Sequence, residues 1–203
     1  MIQEILRVNC DKKGIERAFE IINRGGIAIF PTDTTYGIGC NPYNNESIKK
    51  IYEIKFRDSS KPLPVLVYSK EIAEKIVFFD ELSLKFAKQF WPGPLTLVLS
   101  SHDKRLKNSL GVSDKIAVRV PNHKCTLELL KKCSFLVGTS ANISGQSSST
   151  DPVECFKNMQ DYDVFVDGGP IISKGESTII EIEDEKVRII REGALSRKEI
   201  LQL

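Results

Sequence analysis

The chain has 203 residues, of which 41% are hydrophobic and 28% are charged, so it can bury a sizeable core and is not expected to be disordered. It carries 29 Lys and Arg against 27 Asp and Glu, a formal net charge of +2. This balance excludes a whole-molecule electrostatic field as the basis of nucleic-acid binding and leaves only a local patch. We expect a single domain over residues 1–203.

The sequence predicts a cytoplasmic protein. Its N-terminus, MIQEILRVNCDKKG, carries acidic residues early and lacks the apolar stretch of a signal peptide, and no window approaches the roughly 20 apolar residues of a membrane helix. The five cysteines are widely spaced and form no CxxC, which favours reduced thiols over disulfides or a zinc site. With only His102 and His123, a histidine-ligated metal or a histidine triad is disfavoured.

The hydrophobic pattern alternates between helical and strand periodicity along the chain. Strands outnumber those of a simple alternating doubly wound fold, so we expect an α/β protein with a mixed sheet flanked by helices. In chain order, the predicted elements are a helix capped by Asp11, a strand at 26–30, a helix at about 46–56, a strand at 64–68, two short helices across 70–90, strands at 94–100 and 115–120, a helix near 124–132, strands at 135–138, 163–167, 177–182 and 186–191, and a last helix capped by Ser196.

Two polar segments directly follow predicted strands. In PTDTTYGIG (31–39) any single threonine fits an ordinary loop, but the density of hydroxyl and carboxyl groups favours a loop that binds a polar ligand. In GTSANISGQSSS (138–149) the small residues around Ser140 and Asn142 would let a ligand approach the backbone amides. A solvated serine-rich turn is the alternative that composition alone favours for the second segment.

The segment KFRDSSKP (55–62) concentrates positive charge. Lys55 and Arg57 would share one face if the backbone is extended, and Lys61 follows across a polar turn. Such a pair could hold a polyphosphate, with lysine as a point charge and arginine as a planar fork. The alternative is that these residues complement the dipole at the end of a helix, which is the commoner cause of such a cluster.

Two arginines and a serine stand out in the strands. Arg119 interrupts the apolar strand AVRVP (117–121), so its charge requires a partner, either a carboxylate of the protein or a carboxylate ligand. Ser177 begins another strand, within GGPIISKGEST (168–178). Arg191 ends the last strand beside a Glu-Gly pair, where a nucleotide contact and an edge-strand charge are both compatible with the pattern.

Other motifs are absent or structural in character. FWPGPLTLVL (90–99) is interpreted as a rigid turn before a core strand. There is no GxxxxGK[ST], and GIG (37–39) lacks the third glycine of a dinucleotide fingerprint. Any bound nucleotide would therefore have to be held by the cations named above.

Taken together, the segments resemble the YrdC-type family of threonylcarbamoyl-AMP synthases. The family's KxR and SxN signatures are intact, whereas Asp58 and Glu192 stand where the family commonly has proline. The match runs in order through GGIAIFPTDTTYGIG (25–39), KFR (55–57), KPL (61–63), WPGPLTLVL (91–99), AVRVP (117–121), SAN (140–142), GEST (175–178) and REG (191–193).

The resemblance implies a fold, a reaction and a set of site residues. The fold would be a twisted mixed α/β sheet, YrdC-like, with a large basic concave cavity. The reaction would convert ATP, L-threonine and bicarbonate to threonylcarbamoyl-AMP and pyrophosphate, the first step of N6-threonylcarbamoyladenosine formation in tRNA. The residues assigned to threonine are Thr32, Arg119, Gly138 and Ser177. Those assigned to ATP are Lys55, Arg57, Lys61, Lys115, Ser140, Asn142, Ser148 and Arg191, with Lys55, Arg57, Ser140 and Asn142 as the catalytic set.

The resemblance also implies cofactors and partners. Mg²⁺ is expected with ATP, and no protein side chain is assigned to a metal. Expected partners are the proteins that transfer the threonylcarbamoyl group to tRNA, with weak binding of tRNA or double-stranded RNA as a further option. The chain resembles the short, single-domain form of the family. Alternatives are a related carbamoyl-adenylate synthase and a non-catalytic RNA-binding module that uses the same cavity.

Overall fold

The computed structural model describes residues 5–183 and 185–203. Within these ranges, ten strands form one sheet. They are β1 (Leu6–Asn9), β2 (Ala28–Pro31), β3 (Tyr36–Cys40), β4 (Val65–Val67), β5 (Leu95–Ser100), β6 (Lys115–Arg119), β7 (Phe135–Ser140), β8 (Val164–Asp167), β9 (Thr178–Glu183) and β10 (Lys186–Arg191).

The sheet is mixed, as predicted. Its strands are hydrogen-bonded in the order β1-β8-β2-β3-β7-β4-β6-β5-β9-β10. β3 runs antiparallel to β2 and β7, and β4 runs antiparallel to β7 but parallel to β6. β5 pairs parallel with β9, which forms an antiparallel edge ribbon with β10. Strands distant in sequence are thereby brought next to each other at the centre of the sheet.

Polar caps define where the helices begin. Asp11, Asp80 and Ser196 each accept a hydrogen bond from a backbone amide of the first helical turn, which satisfies one of the donors left free there. The predicted cap at Asp11 is thus confirmed, and so is the capping box of Ser196 with Glu199. The described helices are α1 (Lys12–Asn23), α2 (Asn45–Lys55), α3 (Lys70–Ala73), α4 (Glu81–Phe90), α5 (Lys104–Leu110), α6 (Lys124–Cys133), α7 (Pro152–Asn158) and α8 (Arg197–Leu201). None of them is both long and apolar enough to cross a membrane.

Helices cover the two faces of the sheet unequally. The larger core cluster contains the apolar residues of α2, α4 and α5 together with one face of most central strands. The smaller cluster on the opposite face contains the apolar residues of α1 and α6, which cover β2 and β8. The same face of β5, β6 and β9 carries no residue of the smaller cluster. That uncovered half of the sheet is available for a ligand.

Four elements are absent from the sequence-based prediction. β1 and β3 are strands, and α5 and α7 are short helices, in stretches for which the pattern predicts no regular structure or a loop. β3 occupies the second half of the segment 31–39, so this segment is a tight hairpin and not one continuous loop. Thr32 and Thr35 close the hairpin through a backbone hydrogen bond of 3.0 Å.

Cys10 and Cys125 form a disulfide bond, with their Cα atoms 5.5 Å apart. The expectation that all thiols are reduced is therefore wrong for this pair. The two cysteines lie 115 residues apart, and only the packing of α1 beside α6 brings them together. Cys40, Cys133 and Cys155 are free.

Candidate functional site

A concave cavity of about 790 Å³ opens on the uncovered half of the sheet. Because side chains alternate between the faces of a strand, Lys115, Ala117 and Arg119 of β6 face the cavity. Ile116 and Val118, between them, are buried in the core. This volume lies in the range of pockets that hold small-molecule ligands.

All but one of the predicted site residues line this cavity. The exception is Ser148. The neighbouring Ser149 accepts a hydrogen bond of 3.0 Å from the amide of Tyr36, which holds this part of the chain along β3 and away from the cavity lining. The geometry therefore does not support Ser148 as a contact to ATP. The roles of the eleven other residues remain predictions, but their proximity to one cavity is an observation.

Lys55 links the KxR and SxN segments. It is the last residue of α2 and is only 1% exposed. Its Nζ donates to the carbonyl oxygens of Ser140 and Asn142 at 2.5 and 2.6 Å, and to Oδ1 of Asn142 at 3.2 Å. Burial, followed by the charge of Arg57, lowers the pKa of Lys55 from 10.5 to about 8. All three ammonium donors thus hold the 140–142 segment in place.

Arg57 reaches the same cavity by a different backbone path from the one predicted. The chain between the two cations is not extended, because α2 ends at Lys55 and Phe56 adopts a left-handed conformation, with φ of 48°. Arg57 donates from Nε to the carbonyl of Lys61 at 3.1 Å and from Nη2 to that of Pro62 at 3.4 Å. The predicted extended backbone is therefore wrong, although both side chains line the cavity because of the helix cap.

Arg119 has a protein partner. Its Nη2 lies 2.6 Å from Oδ1 of Asp33, and its Nε donates to the carbonyl oxygen of Gly93 at 2.9 Å. Nη1 donates to the hydroxyl of Thr34 at 3.2 Å. A guanidinium has five N–H groups, so two remain without an acceptor among the described residues. Of the two partners that the sequence left open, the protein carboxylate is present, and two donors remain for a ligand.

The hydroxyl groups around Arg119 are already hydrogen-bonded within the protein. Oγ1 of Thr32 donates to the carbonyl of Thr35 at 2.7 Å and contacts Oγ1 of Thr34 at 3.0 Å. Oγ of Ser177 lies 3.0 Å from the hydroxyl of Thr96 and accepts from Nη2 of Arg191 at 3.1 Å. These bonds orient the hydroxyls. Oγ1 of Thr32 also accepts from the backbone amides of Thr34 and Thr35, so its one donor and two lone pairs are all used. Oγ of Ser177 accepts twice, so its hydroxyl hydrogen can still donate to a ligand.

Two further cations of the lining are ion-paired. Arg191, at the end of β10, forms an ion pair with Glu176. Lys115 lies 3.0 Å from Glu181 and 2.8 Å from Glu183, and hydrogen bonds to Glu183 and then Glu181 raise its pKa. Local acidic groups therefore offset much of their charge.

The described lining is more basic than acidic by composition, yet half of its cations have acidic partners. Arg119, Arg191 and Lys115 are ion-paired, whereas no ion pair is found for the other three among the described residues. The basic character of the cavity therefore stays a prediction. The charged side chains of the lining are Lys55, Arg57, Lys61, Lys115, Arg119, Arg191, Asp58 and Glu176.

Several residues of the cavity and its surroundings were not predicted from the sequence. Gly93 lies in the segment 90–99, interpreted as structural only, yet its carbonyl oxygen accepts from Arg119. Thr96 faces the cavity from β5 and Glu176 lies beside Ser177. The alternation along β5 could have identified Thr96, since Leu95 and Leu97 are core residues.

Comparisons with known proteins show which family the chain resembles. Residues 20–193 match the Sua5/YciO/YrdC family, which is described as telomere recombination. A protein of Methanocaldococcus jannaschii is 38% identical over 91% of this chain and 87% of its own length. The threonylcarbamoyl-AMP synthase of Pyrococcus abyssi is 33% identical over 96% of this chain and 58% of its own length.

A solved structure has a similar fold. The crystal structure of P. abyssi Sua5 complexed with L-threonine superimposes with a TM-score of 0.91 and 32% sequence identity. The match covers 98% of this chain and 60% of the Sua5 chain. The chain thus spans about three fifths of the P. abyssi protein, and its own fold is represented almost completely in that structure.

Proposed function

The chain belongs to the Sua5/YciO/YrdC family, and on this premise we propose that it synthesises threonylcarbamoyl-AMP from ATP, L-threonine and bicarbonate. One observation carries the proposal. Arg119, with two N–H donors left for a carboxylate, and the cations of the KxR segment open onto the same cavity. The L-threonine complex of P. abyssi Sua5, which has the same fold, supports threonine as the amino acid.

The reaction has two steps that the site would have to assist. The amine of threonine attacks the carbon of bicarbonate, and loss of water leaves a carbamate. A carbamate oxygen then forms a bond to the α-phosphorus of ATP, while the bond from that phosphorus to the pyrophosphate oxygen breaks. Negative charge develops on the phosphate oxygens, so catalysis depends on positioning and on fixed positive charge. A covalent nucleophile is not needed.

We assign the substrate carboxylate to Arg119. Its two remaining N–H groups can each donate to one carboxylate oxygen. Ser177 and Thr32 both line the cavity, and we assign them to the amino acid. Ser177 can donate its hydroxyl hydrogen to it, whereas the hydroxyl of Thr32 is held within the hairpin and leaves Thr32 only its place in the lining. Gly138 supplies space rather than a functional group, since a Cβ atom there would lie 2.4 Å from Cδ1 of Leu66.

We assign the phosphates of ATP to Arg57, Lys61 and Arg191, which line the cavity and keep donors available. Lys55 adds its charge from behind the 140–142 segment, because its own donors are taken up by Ser140 and Asn142. Lys115 contributes less in this scheme, since two glutamates already offset its charge.

Mg²⁺ fits this site as an ion held by ATP. The described residues contain no group of three or more His, Cys, Asp or Glu side chains that could form a metal cage, and the lining offers only Asp58 and Glu176 as carboxylates. A small number of protein carboxylates together with substrate phosphates is the usual environment of Mg²⁺. When bound, the ion would neutralise phosphate charge, and Asp58 and Glu176 are the lining carboxylates that could help to hold it.

We further propose a cytoplasmic protein whose product passes to proteins that transfer the threonylcarbamoyl group to tRNA. A labile mixed anhydride needs an acceptor nearby, which favours such a hand-over. Weak binding of tRNA or double-stranded RNA would rest on Arg57 and Lys61, cavity cations with no ion pair among the described residues, and would weaken steeply with salt.

The direct test is an assay with ATP, L-threonine and ¹⁴C-bicarbonate. We expect pyrophosphate release that requires threonine, together with a labelled adenylate that co-migrates with threonylcarbamoyl-AMP. Pyrophosphate release that ignores threonine would refute the substrate assignment, and RNA binding without any ATP turnover would support the RNA-binding alternative.

A pair of arginine variants links this activity to the cavity. Arg57→Ala should raise the KM for ATP at least about tenfold, because a charge-assisted hydrogen bond contributes about 1.5–3 kcal/mol. Arg105→Ala is the matched control, since Arg105 lies over the ring of Tyr43 and does not line the cavity. Equal losses in both variants would contradict the assignment.

A further inference from the structure

The carboxylate of Asp33 joins the hairpin between β2 and β3 to two other parts of the fold. Its Oδ1 accepts from Nη2 of Arg119 at 2.6 Å and from the backbone amide of Asn122 at 2.9 Å. The bond to Asn122 ties the carboxylate to the chain just before α6. Asp33 itself does not line the cavity. Any effect it has on a ligand must pass through Arg119.

The environment of Arg119 makes such an effect strong. Arg119 is 5% exposed, and a buried guanidinium needs a compensating charge and well-placed acceptors. Its three acceptors among the described residues come from two segments, Asp33 and Thr34 on the hairpin and Gly93 before β5. Three acceptors in different directions fix both the position and the plane of the guanidinium. The two remaining N–H groups consequently have one defined direction.

The two carboxylate oxygens of Asp33 are used unequally: Oδ1 accepts both hydrogen bonds. Oδ2 is buried and has no hydrogen-bond partner among the described residues. A buried, unsatisfied carboxylate oxygen costs stability, and such groups tend to be kept where function requires them. Rotation of the carboxylate to satisfy Oδ2 would break the bonds of Oδ1 to Arg119 and to Asn122.

We infer that Asp33 is a positioning residue for the substrate carboxylate. It holds the guanidinium of Arg119 so that two N–H groups meet the two oxygens of the amino acid. This inference rests on the proposed function and deepens it by naming the residue that sets the geometry of amino-acid binding. A purely structural ion pair would instead affect threonine and ATP alike, through the stability of the protein.

Two substitutions separate geometry from charge. Asp33→Asn keeps an oxygen at the position of Oδ1, so it can still accept from Arg119 and Asn122, but it removes the charge. Asp33→Glu keeps the charge and displaces the carboxylate by one methylene group. We expect Asp33→Glu to raise the KM for threonine at least tenfold and Asp33→Asn to raise it at most threefold. The KM for ATP should stay within twofold in both variants.

Asp167→Asn is the matched control. Asp167 forms an ion pair of the same length, 2.6 Å, with Arg7, and neither residue lines the cavity. In this variant both KM values should stay within twofold. Its loss of thermal stability should be smaller than that of Asp33→Asn, because the side chain of Arg7 is 40% exposed and that of Arg119 only 7%. The comparison removes the general effect of breaking an aspartate–arginine pair.

The outcomes are distinct. Three results would each overturn the inference. The KM for threonine could rise as much in Asp33→Asn as in Asp33→Glu, or it could stay unchanged in Asp33→Glu. In either variant, the KM for ATP could rise as much as the KM for threonine. Wild-type protein that neither turns over nor binds threonine in isothermal titration calorimetry would overturn the proposed function instead. Folding of both variants is checked by circular dichroism. If only one of them folds, its KM values are compared with those of the wild type against the limits given above.

Discussion

At the scale of single residues, Lys55 departs furthest from ordinary behaviour. A lysine ammonium is strongly hydrated, yet here it has exchanged water for three protein oxygens on one short segment. An amine that has lost its proton has only two N–H donors, so it cannot keep all three bonds. The position of Ser140 and Asn142 is thereby coupled to the protonation of one side chain.

This coupling predicts opposite effects of pH on activity and on stability. The pKa of Lys55 is about 8 in the folded protein and near 10.5 in the unfolded chain. Below pH 8 both states are protonated. Between about 8 and 10.5 the unfolded chain binds the extra proton, so the contribution of Lys55 to the free energy of unfolding rises with pH. Activity should fall over the same range, as the 140–142 segment loses a hydrogen bond.

Urea unfolding and steady-state assays between pH 7 and 10.5 test this prediction. In Lys55→Met the rise in the free energy of unfolding attributable to this lysine should disappear, whether or not the variant is active. In Lys55→Arg, whose guanidinium stays charged, the fall in activity near pH 8 should move to higher pH. An identical pH dependence of stability in wild type and Lys55→Met would contradict the assignment.

Arg119 shows what the sequence can and cannot give at this scale. A charge inside an apolar strand predicted that Arg119 has a carboxylate partner, because a buried cation requires compensation. The choice between its two partners needed the fold, since Asp33 lies 86 positions away in the chain. The same holds for the acceptor at Gly93, which is a backbone atom and leaves no trace in residue type.

At the scale of secondary-structure elements, β3 is the most instructive miss. Tyr36–Cys40 is buried at every position, so it shows no alternation between apolar and polar residues, and its two glycines resemble loop residues. Close packing requires the second of them, Gly39. A Cβ atom on Gly39 would lie 2.0 Å from the carbonyl oxygen of Val137 on β7. The helix caps at Asp11 and Ser196 were predictable because a single polar side chain marks each of them.

Close packing at Gly39 predicts a large loss of stability on substitution. Gly39→Ala should lower the free energy of unfolding by about 1–3 kcal/mol or more, because a fixed backbone oxygen cannot move aside easily. Gly37→Ala is the control on the same strand, since its Cβ would lie 3.3 Å from Phe30 and from the carbonyl of Thr139. Equal losses of stability in the two variants, measured by urea unfolding, would argue against this account.

The left-handed Phe56 is the other element-scale feature that pattern analysis could not supply. Periodicity placed the end of α2 within one residue, but an extended continuation was assumed beyond it. The cap redirects the chain so that both Lys55 and Arg57 reach one cavity. That Lys55 and Arg57 lie together was thus predictable, whereas the backbone path that brings them to one cavity was not.

At the scale of the whole molecule, the sequence predicted a mixed sheet with flanking helices but not how the helices are distributed. The cavity exists because α1 and α6 cover only part of one face. Which strands remain uncovered depends on the strand order, and that order joins residues more than 100 positions apart, such as Leu6 with Val164. The disulfide was missed for the same reason.

The disulfide yields a prediction for the molecule as a whole. Reducing Cys10–Cys125 should lower the free energy of unfolding by about 2–4 kcal/mol, since the bond closes a long loop in the unfolded chain. Urea unfolding with and without a phosphine reductant measures this difference, and Cys125→Ser should abolish it.

Cys133→Ser is the control. Because Cys133 is free, the reductant should lower the free energy of unfolding of this variant as much as that of the wild type. Alkylation of the unreduced, denatured protein should modify three cysteines and spare the bonded pair. Modification of all five thiols under these conditions would show that the bond does not form in the isolated protein.

The alternation along β6 has a consequence for how this protein can vary. Core residues and cavity residues of β6 occupy successive positions, Ile116 and Val118 on one side and Lys115, Ala117 and Arg119 on the other. Insertion or deletion of one residue would exchange the two sets and bury charge in the core. Substitutions, in contrast, can change the ligand side without touching the core side. Point mutations can therefore change which ligand this half of the sheet binds. A change in the length of β6 would instead disrupt the core.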